Sequence, residues 1–212
     1  LPKAVKTRKL VIVRIVTIED VQNVLAFLKV RFTRGELDER HYVAYNALII
    51  FGAFTGQRPY ATIGRITAGQ FEKALKFRSR EPTLRIGRSG QDPHGSLCTA
   101  APARYRSRRT ASRRKKGNEI MFPLSALNQW LWKSRQAGNE IPLSRCSGYF
   151  VLSDLRKFTE QHGGVIGWDS SNRAYVLTHG VGGIDWKHYK HPLPDSVYDI
   201  YMKYWSGVSL KI

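Results

Sequence analysis

Residues 38–58 read DERHYVAYNALIIFGAFTGQR, and this stretch decides the fold. Asp38 is a short acid of the kind that accepts from the free N–H groups of a helix start. Val43, Ala47, Ile50, Phe51 and Phe54 follow at helical spacing, so the stretch predicts an α-helix with one apolar face. Thr55-Gly56 ends it, and Arg58 falls directly after the helix. Pro59 then allows another short helix to begin at once.

Toward the N-terminus, Thr17 stands three residues before Asp20, as at a helix start. Val21, Val24, Leu25 and Leu28 give residues 18–30 a helical apolar face that Gly35 ends. Toward the C-terminus, helical spacing resumes at Phe71, Ala74 and Leu75, and Thr83 to Ile86 is a short strand candidate ended by Gly87 and Gly90. Pro123 opens a helix carrying Leu127, Leu131 and Trp132. Ser153 is expected to cap a helix running to about His162, with Gly163-Gly164 after it. Ser171 is expected to cap another that ends at His179, with Gly180 placed for a left-handed C-cap. Pro194 starts a last helix with Val197, Tyr201, Tyr204 and Trp205 as its stripe, which suits either the chain's own core or a neighbouring subunit. The predicted class is mainly α with a small antiparallel β-sheet (α+β) near residues 64–90, in a single domain over 1–212.

Composition narrows the function. Apolar residues at 42% and aromatics at 11% supply a core, which excludes a disordered tail. Two cysteines, Cys98 and Cys146, are too few for a disulfide scaffold or a zinc module. The six histidines show no metal spacing, so neither a metal nor another cofactor is expected. No apolar run approaches the roughly 18 residues of a membrane span, and Arg14 interrupts the first one, as no secretory signal would. A soluble cytoplasmic domain is the expectation. The net charge of +19 predicts a polyanion partner, with nucleic acid ahead of an acidic membrane surface.

That charge is unevenly spread. Residues 93–118 hold eight basic side chains (Arg104, Arg106, Arg108, Arg109, Arg113, Arg114, Lys115 and Lys116) and no acid. Residues 91–118 show neither helical nor strand period and read as a disordered basic loop. The same composition is what a local shift of reading frame produces, entering near Asp92 and restored before Asn118. Translating this stretch of the gene in the other two frames tests that idea, which requires alternating strand residues in one of them.

Four polar residues sit where helices begin or end: Arg58, Arg156, His179 and Tyr189, at intervals of 98, 23 and 10. Taken alone, Arg58 suits a cap on the preceding helix's carbonyls, Arg156 a buried structural arginine, and His179 a helix dipole. Tyr198, Tyr201 and Tyr204 compete with Tyr189 as phenols but have core-like spacing. The ordered set resembles a known family. Thr-Gly-Gln-Arg at 55–58, Leu-Arg-Lys-Phe at 155–158, Thr-His-Gly at 178–180 and His-Tyr-Lys-His-Pro at 188–192 look like the boxes of a tyrosine recombinase catalytic domain. The closing segment from Tyr189 to Trp205 looks most like integrases of archaeal viruses and plasmids. The resemblance covers residues of about 40–90 and 120–205.

The resemblance implies a DNA breaking-rejoining fold and site-specific integration and excision through a 3′-phosphotyrosyl intermediate. Tyr189 would attack the scissile phosphate, conserving bond energy so that a 5′-hydroxyl can reverse the step. Arg58 and Arg156, permanently charged and able to bind oxygens in pairs, would clamp the non-bridging oxygens, and His179 would donate a hydrogen bond to one. Lys157, Lys187 and Lys190, inside or beside the boxes, and Arg85 are the candidate DNA contacts. The implied partners are double-stranded attachment-site DNA, within the nucleoid, and three further copies in a homotetramer.

Two positions depart from the family. Ser153 stands where a His or Lys usually precedes the second arginine by three residues, and serine does not titrate near neutrality. Arg88, in a segment resembling the family's β-hairpin edge, replaces the lysine that protonates the leaving oxygen. Arginine is a poor proton donor because its pKa is about 12.5 or higher. Leu1 is not a methionine, so the sequence reads as a fragment lacking an N-terminal DNA-clamping domain, as either a remnant of an integrated element or a metagenomic partial gene would be. A catalytically impaired DNA-binding relic and a type IB topoisomerase relative therefore stand beside the recombinase.

Overall fold

The computed structural model describes residues 14–76, 83–85, 96–98, 119–177 and 194–210, with the backbone alone at 73–76, 83–85, 96–98 and 194–198. The described chain is mostly helical. Helix α1 (Ile18–Thr33) starts at a capping box in which Thr17 and Asp20 satisfy each other's backbone N–H. Asp20 is buried and also accepts from the Ser144 N–H at 2.7 Å, so the cap doubles as a tertiary tie. Helix α2 (Glu39–Thr55) starts at Asp38, whose carboxylate takes the His41 N–H, and ends at Gly56 with φ 60°, a left-handed cap.

The apolar face expected for α2 is corrected. Leu48, Ile49, Ala53 and Asn46 are buried along with Ile50 and Phe51, whereas Val43, Ala47 and Phe54 are only half-buried. The helix is apolar around most of its C-terminal half because it lies between α1 and helix α5 (Asp154–Val165), and packs on both. After Arg58 the chain makes turns and one 3₁₀ turn, Ile63–Arg65, instead of the α-helix that Pro59 allowed. Helix α3 (Ala68–Lys76) follows. Thr83–Arg85 (β1) pairs antiparallel with Ser96–Cys98 (β2). The remainder of 91–118 lies outside the described residues.

Helix α4 (Leu124–Gln136) buries Leu127 but leaves Trp132 58% exposed, so Trp132 is not part of its core face. Trp130 takes that place, against Phe27 and Tyr45. A bridge between Pro142 and Tyr149 leads into α5. Ser153 precedes α5 but makes no cap bond. The Asp154 carboxylate instead accepts the Val151 N–H at 2.9 Å, bracing the turn that precedes the helix. The helix also runs through Gly163-Gly164 instead of stopping before them. At Gly163 a Cβ would lie 2.8 Å from the Trp168 ring, so this glycine serves close packing and not termination. Helix α6 (Ser170–Val176) is capped by Asp169, not Ser171, and ends at Leu177. His179 and Gly180 lie outside the described residues.

Helix α7 (Pro194–Trp205) returns to the chain's own core. Tyr201 and Trp205 are buried, and Trp205 packs edge-on against Phe54, Phe158 and Trp168. Rings of this size stabilise by roughly 1.5–3 kcal/mol each through burial. These contacts assign that much of the stripe to the core.

Candidate functional site

Two helix C-termini meet beside the first turn of α5. The end of α2 (Thr55, Gly56) and the end of α6 (Val176, Leu177) both present backbone carbonyls that have no partner within their own helices. Two side chains take them up. The Arg156 guanidinium donates to the Gly56 carbonyl at 3.0 Å and to the Leu177 carbonyl. The Gln57 amide donates to the Val176 carbonyl at 2.7 Å and the Thr55 carbonyl at 3.3 Å. Each side chain therefore spans the same two helix ends. Gly56 is pressed into this joint: a Cβ there would lie 2.3 Å from Leu177 and 2.8 Å from Thr159. Thr159, fully buried, donates to the Ala53 carbonyl at 2.7 Å and ties α5 to the last turn of α2.

Arg58 is exposed beside this joint, two residues past the Gly56 carbonyl that Arg156 holds, and its own carbonyl accepts the Thr62 and Ile63 N–H groups. The capping role that its position suggests belongs to Arg156, which is half-buried. Arg58 is nevertheless close enough to act on it. The pKa of Arg156 is lowered, first by burial and then by the positive charge of Arg58, with Glu160 opposing part of that effect. The arginine side chain does not deprotonate in proteins, so Arg156 stays charged at neutral pH. The result is two guanidiniums in one neighbourhood with like-charge repulsion between them.

The helix carrying Arg156 is anchored from its other side. Asp154, with no exposed surface, receives the Arg14 guanidinium on both oxygens at 2.6 and 2.7 Å, and Arg14 also donates to the Tyr149 carbonyl. The Asp154 carboxylate raises the Arg14 pKa. Gln161 clasps the Arg14 carbonyl and the Val16 N–H, both at 2.8 Å.

The expected site residues are thus placed unevenly. Arg58 and Arg156 come together at one joint. Lys157 follows Arg156, half-buried, and Ser153 is exposed at the mouth of α5. Arg85 sits in β1, opposite Ser96. His179, Tyr189, Arg88, Lys187 and Lys190 lie outside the described residues. Among the competing phenols, Tyr201 is excluded as a nucleophile. Its hydroxyl is buried, donates to the Phe54 carbonyl at 2.8 Å and has its pKa pushed far up by burial. Gln57, Thr159 and Glu160 were not singled out by sequence reading. Only Gln57 had a signal, a long polar residue wedged between a cap glycine and an arginine.

Among the described residues no His/Cys/Asp/Glu group could hold a metal ion, and no helix is long and apolar enough to cross a membrane. No family model, curated protein or solved structure matches the chain.

Proposed function

We propose that this chain is the catalytic domain of a tyrosine recombinase, a site-specific DNA integrase that cleaves and rejoins strands through a 3′-phosphotyrosyl link. One observation carries the reading: Arg156 holds the Gly56 carbonyl at 3.0 Å, two residues before Arg58, and so brings together two arginines 98 residues apart in sequence. Two permanent cations held together attract a dianionic or bridging phosphate group, and their forked donors suit its oxygens. Because Arg156 is perched on neutral carbonyls, those contacts leave its charge unneutralised. In the proposed reaction Tyr189 attacks the phosphorus, the 5′-oxygen leaves, and the arginines stabilise charge on the non-bridging oxygens. A homotetramer on double-stranded DNA, cytoplasmic and nucleoid-associated, completes the reading.

The test is a nicked duplex that traps a covalent protein–DNA complex. The intact chain is expected to form it and Tyr189→Phe to form none. DNA affinity is expected to fall steeply with salt, since it rests on phosphate neutralisation.

One observation favours a second reading, a DNA-binding relic without cleavage. Arg156 spends two of its donors on backbone carbonyls, and Ser153 offers no titratable group beside it. Salt-sensitive DNA binding without any covalent complex selects the relic.

A further inference from the structure

Resting on the recombinase reading, we infer that Gln57 is a positioning residue that holds the Arg156 guanidinium in place beside Arg58. The physical problem at the joint is that the carbonyl-bearing, partially negative ends of α2 and α6 face the same space. Left to themselves these ends repel. Arg156 joins Gly56 to Leu177, and Gln57 joins Thr55 to Val176, one residue earlier on both sides. The two bridges run in parallel, so the spacing between the carbonyls that Arg156 grips is set by the length of the Gln57 side chain.

The buried state of Gln57 strengthens the inference. It has no exposed surface, and its Oε1 has no hydrogen-bond partner among the described residues. A buried acceptor left unpaired is unfavourable, and a methionine of similar length would carry no such cost. What the amide supplies in return is its donor to the Val176 carbonyl. Arg156 gains from that bond directly, because a first-turn cation on α5 opposes its own helix dipole and depends on the two carbonyl ends for compensation.

Gln57→Met keeps the volume and removes the donor. With the full chain and the nicked duplex, the rate of covalent-complex formation at saturating DNA is expected to fall at least tenfold, with DNA affinity within twofold of the parent. In an Arg156→Lys background, which cannot grip two carbonyls in the same way, Gln57→Met is expected to cost less than twofold. An unchanged rate in Gln57→Met overturns the inference, as does the same loss in both backgrounds. Hydrogen exchange gives a readout independent of cleavage. The Leu177 and Gly56 amides, bonded to the Arg173 and Gly52 carbonyls, are expected to exchange at least fivefold faster in Gln57→Met, while α1 does not change. If the parent chain forms no covalent complex, the recombinase reading fails. Exchange at these two amides then decides the role of Gln57, and no change there overturns it. Should Gln57→Met not fold, Gln57→Asn, one methylene too short for the Val176 carbonyl, is read in the same way.

Discussion

Two arginines flank the start of α5 and meet opposite electrostatic fates. Arg14 closes on a buried carboxylate with both prongs of its fork, and its pKa rises. Arg156 rests on neutral carbonyls beside a second arginine, and its pKa falls. The first is a finished pair whose role is to hold the helix. The second is a cation whose neighbourhood favours a further anion. Residue type and burial alone would have grouped them together. The partner's charge separates them, and only one of the two suits binding to a phosphate.

The comparison breaks most readily through stability. Arg14→Met leaves Asp154 buried without its counter-charge and is expected to cost about 3–5 kcal/mol. Arg156→Met leaves only neutral carbonyls unpaired, removes a repulsion, and is expected to cost about 1–2 kcal/mol. Urea unfolding of both variants checks this, and equal losses would mean that Arg156 is as structural as Arg14. Gly56→Ala is expected to cost about 2 kcal/mol, because it combines a left-handed backbone with a Cβ driven into Leu177 and Thr159. Thermal melts of this variant then show how far the Arg156 perch contributes to the fold.

Inorganic phosphate sharpens the contrast. At about ten times its dissociation constant it is expected to stabilise the parent by about 1.4 kcal/mol and to leave Arg156→Met unaffected. Melting temperature against phosphate, at constant ionic strength, reads this directly. The smallest effect concerns His162, which lies against Phe158 and Trp205. Burial holds its pKa below the ordinary 6.5, so the unfolded chain takes up a proton before the folded one does. Its contribution is therefore fully present above pH 6.5 and is lost as pH falls through the lower folded value. Melting temperature is expected to drop on acidification in the parent and to drop less in His162→Phe.

Legibility in the sequence followed the range of the interaction. Thr17 with Asp20, Asp38 at the start of α2, and the end of α2 at Thr55-Gly56 are local arrangements, legible from spacing and residue type. Gly163 looked like a stop signal because its actual reason, the Trp168 ring, comes from the next loop. Serine suits a cap by residue type, yet Ser153 makes no cap bond, and α6 is capped two residues before Ser171 by Asp169 through the Asn172 N–H. For the site, the pairing of Arg58 and Arg156 is what the resemblance of the ordered boxes to a known family implies. That Arg156 and not Arg58 would cap α2 was illegible, since the carbonyls it grips belong to residues 100 and 21 positions away.

The central claim is that Arg58 and Arg156 act on one phosphate, and a double-mutant cycle on covalent-complex formation tests it most directly. Arg58→Ala and Arg156→Ala are each expected to lower the rate by at least about a hundredfold, and the double variant to fall far short of the product of the two losses. Independent, multiplicative losses, or wild-type rates in either single variant, would contradict the account.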